Sequence, residues 1–169
     1  KIGRTPRQQN HRAWPSDNAD QHRSRPRRYD AGAHPHVWVE IEIATAGINF
    51  RDVMNLLGVY PGDGGAPGVE CAGTVTAVGS GVTGVAPGDV VVAIAPACFA
   101  SHVIADANLV WRIPLSLDWR DVAAQPVALL TARLALDEVA HLQEGQRILI
   151  HAATGGVGLA AVALAKVRG

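Results

Sequence analysis

The sequence predicts a mixed α/β chain: a small antiparallel β-barrel, then connecting helices, then one strand–turn–helix unit. Three observations carry this. Val37, Val39, Ile41 and Ile43 alternate with Trp38, Glu40 and Glu42, the period of a half-buried strand. Further short apolar runs follow at close spacing, punctuated by glycine, as in a compact barrel. Late in the chain, Arg147 to His151 leads into Ala153-Thr154-Gly155-Gly156-Val157-Gly158 and an Ala/Leu/Val-rich stretch. That order reads as a buried strand, a glycine turn and a tightly packed helix.

The 169 residues suffice for a real core, and the 48% hydrophobic content with zero formal net charge names no nucleic-acid or membrane partner. The charge is unevenly spread, with eight Lys/Arg against three Asp in residues 1–30. Residues 1–35 are polar, proline-containing and without hydrophobic period, so they read as a disordered basic leader. Acids and prolines interrupt its arginines, which favours a solvated tail over a nucleic-acid arm. Cys71 and Cys98 make no disulfide framework and no four-cysteine metal site. No apolar run reaches the roughly 18 residues of a membrane span, and the N-terminus has no secretory apolar region. A reduced, cytoplasmic protein is the expectation. The sequence begins at Lys1 rather than Met, as a piece of a longer chain would.

After the first strand, Asn49 to Leu57 reads as a short helix closed by Gly58, and Tyr60 to Gly68 as a loop. Val69 to Val78 is a strand in which Gly73 marks a bulge or a close backbone approach. Gly79-Ser80-Gly81 turns it, and Pro87-Gly88-Asp89 turns into a strand over Val90–Ile94. Phe99–Ala105 and Leu109–Ile113 are two more. Beyond Pro114 the period becomes helical, with Ser116 as N-cap and Asp118 and Asp121 in the first turns, where the helix dipole favours acids. Pro126 interrupts that helix or starts another as its first residue. The helix then runs to about His141, and Gln143-Glu144-Gly145-Gln146 turns into the last strand.

Strand, glycine turn and helix open a dinucleotide-binding fold. Gly155 and Gly156 would let the backbone approach a pyrophosphate, Gly158 would let the helix lie close on the strand, and the helix N-terminus would offer N–H groups to the phosphate. Ala153 stands where the fingerprint has its first glycine. The bland alternative is a merely tight turn. The ribose-reading residue, about 20 positions on, would fall beyond Gly169.

In its order of elements the chain resembles the medium-chain dehydrogenase/reductase superfamily. Ala46-Gly47-Ile48-Asn49-Phe50-Arg51-Asp52, Gly68-Val69-Glu70-Cys71-Ala72-Gly73, Pro87-Gly88-Asp89 and His151 to Gly158 look in combination like enoyl reductase domains of polyketide synthases. The resemblance implies a GroES-like β-barrel catalytic domain over 36–125. It also implies a connecting helix and the first unit of an NADP-binding Rossmann domain over 126–169. Zinc-dependent relatives carry Cys where this chain has Asn49 and His where it has Val69. Neither replacement can hold catalytic zinc, so a zinc-free member with no metal site is expected.

Without a Lewis acid the substrate must already be activated, as an α,β-unsaturated thioester is. The implied reaction is reduction by NADPH of an enoyl thioester on an acyl carrier protein, hydride to the β-carbon and proton to the α-carbon. Tyr60 stands where such reductases often place a proton-donating tyrosine; equally, it could pack a loop against the barrel. Asn49 and Thr131 match positions lining the nicotinamide end of the cleft, with a helix cap and a buried, backbone-satisfied hydroxyl as the structural alternatives. Arg133 departs from the family, which commonly has an aromatic residue there. His102 and His151 read as strand residues rather than catalysts.

The cofactor contacts implied are Ala153, Thr154, Gly155, Gly156, Val157 and Gly158. Alternatives are a quinone or enal reductase of the same superfamily, and a non-catalytic docking module. Relatives continue through further βα units, so a lone last strand would lack neighbours. The expectation is that the isolated chain pairs with a second polypeptide, forms a homo-oligomer, or is unstable.

Overall fold

A computed structural model describes residues 37–114 and 116–169; the basic leader read over 1–35 lies outside the described residues. Strands β1 (Trp38–Ala46), β2 (Glu70–Val78), β3 (Val90–Ile94), β4 (His102–Asp106) and β5 (Val110–Arg112) form one antiparallel sheet. Its order is β4-β1-β2-β3-β5, and it curls into a half-barrel. The alternation read in the sequence decides which side chains turn inward. Val39 and Ile41 of β1 are buried with Cys71, Val75, Val91, Ala93 and Val103.

The register between β1 and β2 shifts between Ile43 and Thr45, beside Gly73. A Cβ on Gly73 would run into the Glu42 carbonyl oxygen. The glycine is therefore a close backbone approach next to a bulge, as expected.

Helix α1 (Phe50–Leu56) follows β1, and α2 (Trp119–Val122) and α3 (Pro126–Arg133) follow the sheet. Pro126 is the first residue of α3, where its missing N–H costs nothing. The N-cap of α2 is Asp118, not Ser116; its carboxylate accepts from the Arg120 N–H at 2.8 Å. An aspartate beside the first turn serves the helix better than a serine two residues further out. Helix α3 continues to Val139 as a π-helical turn, Leu134–Val139, slightly short of the predicted end.

Helix α4 spans Gly156–Val167, as the apolar stretch after the glycine turn predicts. The strand expected before it does not form. Residues 147–150 pair with no strand among the described residues, and His151 lies in a turn. A strand exists only through a neighbour's hydrogen bonds. What α4 packs on instead is α3, through Ala132, Leu136, Ala160 and Ala161. Among the described residues no helix is long and apolar enough to cross a membrane.

Candidate functional site

Asn49 sits between the end of β1 and the start of α1. As N-cap it forms a capping box with Asp52, whose carboxylate accepts from the Asn49 backbone N–H at 2.9 Å. Asp52 is itself buried, and its other oxygen accepts from the Gly68 N–H at 2.9 Å. The Asn49 carboxamide donates to Glu70 Oε1 at 2.7 Å. Glu70, at the start of β2, is 1% exposed, and its second oxygen accepts from the Val127 N–H at 2.8 Å. Thr131, one turn further along α3, donates its hydroxyl to the Val127 carbonyl at 2.6 Å. One hydrogen-bonded series thus joins Asn49 to Thr131 through Glu70. Thr131 is backbone-satisfied as its structural alternative supposed, but exposed rather than buried.

Tyr60 stands apart from this series. It is half-buried in the loop after α1, its ring centroid 5.5 Å from the Arg51 guanidinium carbon. Arg51 also donates to the Gly64 carbonyl at 2.8 Å, and Asn55 to the Gly65 carbonyl at 2.8 Å. Two side chains of α1 therefore hold the 58–68 loop, and Tyr60 packs on one of them.

The glycine turn divides into two kinds of position. A Cβ on Gly158 would collide with the Ala152 carbonyl oxygen and lie 2.7 Å from Ala153 Cα. This glycine lets the helix seat on the preceding segment. Gly156 has nothing within 4 Å of where a Cβ would stand. It borders a cavity of about 280 Å³ between α3 and α4, lined also by Ala124, Gln125, Ala128 and Leu159. Thr154, Gly155, Gly156 and Val157 are exposed and Ala153 is half-buried. The open space and free N–H groups at this end of α4 fit the pyrophosphate of a dinucleotide.

Three residues are placed away from these groups. His102 lies in β4, with its ring 3.2 Å from the Ser101 hydroxyl. His151 is exposed in its turn rather than in a strand, and Arg133 pairs with Asp137 at 3.3 Å. Cys71 and Cys98 are both buried and free. A hydrogen bond with Cys98, then burial, pushes the Cys71 thiol well above its ordinary value, so it supplies no thiolate. Among the described residues no group of three or more His, Cys, Asp or Glu could hold a metal ion.

Glu70 is the residue that sequence reasoning passed over. The available signal was a carboxylate inside the largely apolar run Val69 to Val78, since buried acids persist where donors meet them.

The half-barrel and the helices that follow it match the GroES-like domain of medium-chain dehydrogenase/reductase enzymes. Residues 35–114 match the alcohol dehydrogenase GroES-like domain. The chain is 50% identical over 134 residues to a phenolphthiocerol/phthiocerol polyketide synthase of Mycobacterium tuberculosis, covering 78% of this chain and 6% of that protein. Among solved structures it is similar to CurK enoyl reductase, at 37% identity and a TM-score of 0.73, covering 79% of this chain and 44% of that one. It is also similar to mycobacterial Rv1454c complexed with NADPH, at 35% identity and a TM-score of 0.69, covering 79% and 43%. The chain therefore spans less than half the length of each of these relatives.

Proposed function

We propose that the chain is the substrate-binding part and the first cofactor-binding unit of an NADPH-dependent enoyl reductase of a polyketide synthase. Residues 36–125 form the substrate part and 126–169 begin the cofactor part. The observation that carries this is the 37% identity to CurK enoyl reductase over 79% of the chain, joined to an open glycine turn at α4.

NADPH, when bound, supplies the hydride for the β-carbon of an α,β-unsaturated thioester held on an acyl carrier protein. The chain's own residues do the rest. Gly156 and Val157 take the pyrophosphate on exposed N–H groups, with Ala153, Thr154 and Gly155, whose own N–H is held by the Ala152 carbonyl, on the approach, and Gly158 keeps α4 seated beneath them. Asn49 and Thr131, linked through Glu70, form the wall facing the nicotinamide end. Tyr60 donates the proton that the enolate takes at its α-carbon, and Arg51 over the ring fixes the phenol's direction. A second copy or a separate polypeptide covers the exposed apolar side chains of 148–149 and α4.

The test follows nicotinamide fluorescence as the purified chain is titrated with NADPH and then NADH, with sedimentation run in parallel. Turnover is then measured with a short enoyl thioester on a carrier protein and with a quinone. The reading predicts saturable NADPH binding in an associated form and reduction of the thioester. Reduction of the quinone alone would transfer the chain to the quinone-reducing branch. Absence of nicotinamide binding would leave a docking module.

A further inference from the structure

We infer that Glu70 is the positioning residue of this site: one buried carboxylate that fixes α1 and α3 against the sheet. Each of its oxygens takes a donor from the start of a different helix, Asn49 Nδ2 at 2.7 Å and the Val127 N–H at 2.8 Å. The Val127 amide is one of the N–H groups a helix leaves unpaired in its first turn, and the preceding Pro126 has none to offer. The junction has no slack. A Cβ on Gly47 would lie 2.7 Å from Glu70 Cγ and Oε1 and 2.8 Å from Ala124 Cα. A carboxylate 1% exposed is tolerated in an apolar strand only because both oxygens are occupied by donors. What it holds is the backbone from which Asn49 and Thr131 project. The inference rests on the proposed reduction only for its effect on cofactor binding; the hydrogen-bond pattern stands by itself.

The polarity of the network supplies the test. Glu70→Gln keeps the shape but exchanges one acceptor for a donor. The Val127 N–H cannot turn round, so the new amide oxygen must face it. The new NH2 group then meets the NH2 of Asn49, donor against donor, or the Asn49 carboxamide turns over and sets its NH2 against the Asp52 N–H that its oxygen caps; either way one donor is left unmatched. Adding Asn49→Asp replaces that donor with an acceptor and restores the match. Asn49→Asp alone sets two carboxylates against each other.

Thermal unfolding, deuterium exchange at the Val127 amide and NADPH fluorescence titration are measured on all four chains. Each single variant is expected to melt about 5 °C below the wild type, since a buried polar group is left mismatched. In the pair, melting temperature, Val127 protection and NADPH affinity are expected to return most of the way. If a single variant does not fold, the pair is expected to fold. A Glu70→Gln chain that melts like the wild type, or a pair no better than the sum of its singles, would overturn the assignment. Should none of the chains bind NADPH, the proposed reduction fails, and melting with Val127 exchange still decides the role of Glu70.

Discussion

In the sheet, Val39, Ile41, Cys71 and Val91 are each 0% exposed, whereas Leu149 and Val167 at the other end of the chain are 80% and 87% exposed. Both regions are equally apolar in sequence. The sheet closes on its own side chains because five strands supply each other's hydrogen bonds and curl one face into a core. The α3–α4 pair buries a narrow seam of Ala132, Leu136, Ala160 and Ala161 and leaves its remaining apolar faces open. Stability therefore belongs to the sheet, and the α3–α4 end depends on what it packs against.

The largest effect should separate the two regions outright. Ile41→Ala removes a fully buried side chain from the centre of β1 and is expected to cost about 3–4 kcal/mol. Leu159→Ala removes a similar side chain from α4, but one 58% exposed in the single chain, and should change the stability of the unassociated chain by less than about 0.5 kcal/mol. Chemical denaturation of both variants checks this. Equal losses in the unassociated chain would mean that Leu159 is buried within the chain itself and that the contrast between the regions is false.

The same contrast explains what could be read without a structure. Strand β1 is legible because period-2 alternation is a local property, β2 and β3 because short apolar runs bounded by glycine turns are, and Gly73 and Pro126 announce their backbone roles by residue type alone. The strand expected at 147–151 was not settled by its own residues, since a strand is defined by its neighbours. Glu70 was hidden for a related reason. Its partners, Asn49 and the Val127 amide, are 21 and 57 residues away, and no local pattern reports such a meeting. The α2 cap was misplaced by two residues because serine and aspartate both serve as N-caps, and only the observed hydrogen bond distinguishes them.

A middling effect tests the glycine turn. Gly158→Ala drives a methyl group into the Ala152 carbonyl and should displace α4, weakening NADPH binding about tenfold, near 1.4 kcal/mol. Gly156→Ala adds a methyl group to open space. It should leave the melting temperature unchanged and weaken NADPH only by crowding the phosphate. Calorimetric unfolding and fluorescence titration of the two variants, side by side, distinguish a structural glycine from a ligand-facing one. If both lose stability alike, the turn has no open face, and the phosphate site must lie elsewhere.

The smallest effect is electrostatic and again has one member in each region. Asp137, after α3, is held below the ordinary carboxylate range, first by its hydrogen bond from Arg168 and then by the charges of Arg168 and Arg133. Asp89, before β3, is lowered first by the Ala86 N–H and then by Arg112. A carboxyl whose folded value is depressed contributes stability above its unfolded value, about 3.9. That contribution is lost as pH falls through the folded value. Acidification below about pH 4 should therefore loosen the α3–α4 pair by releasing Arg168 at the end of α4, and loosen the β3 turn separately. Asp137→Asn should remove the first step and leave the second, read as amide exchange in α4 against amide exchange in β3 between pH 5 and pH 2. Loss of both steps in that variant would mean that the sheet and the helix pair unfold as one unit, and the comparison between them would fall.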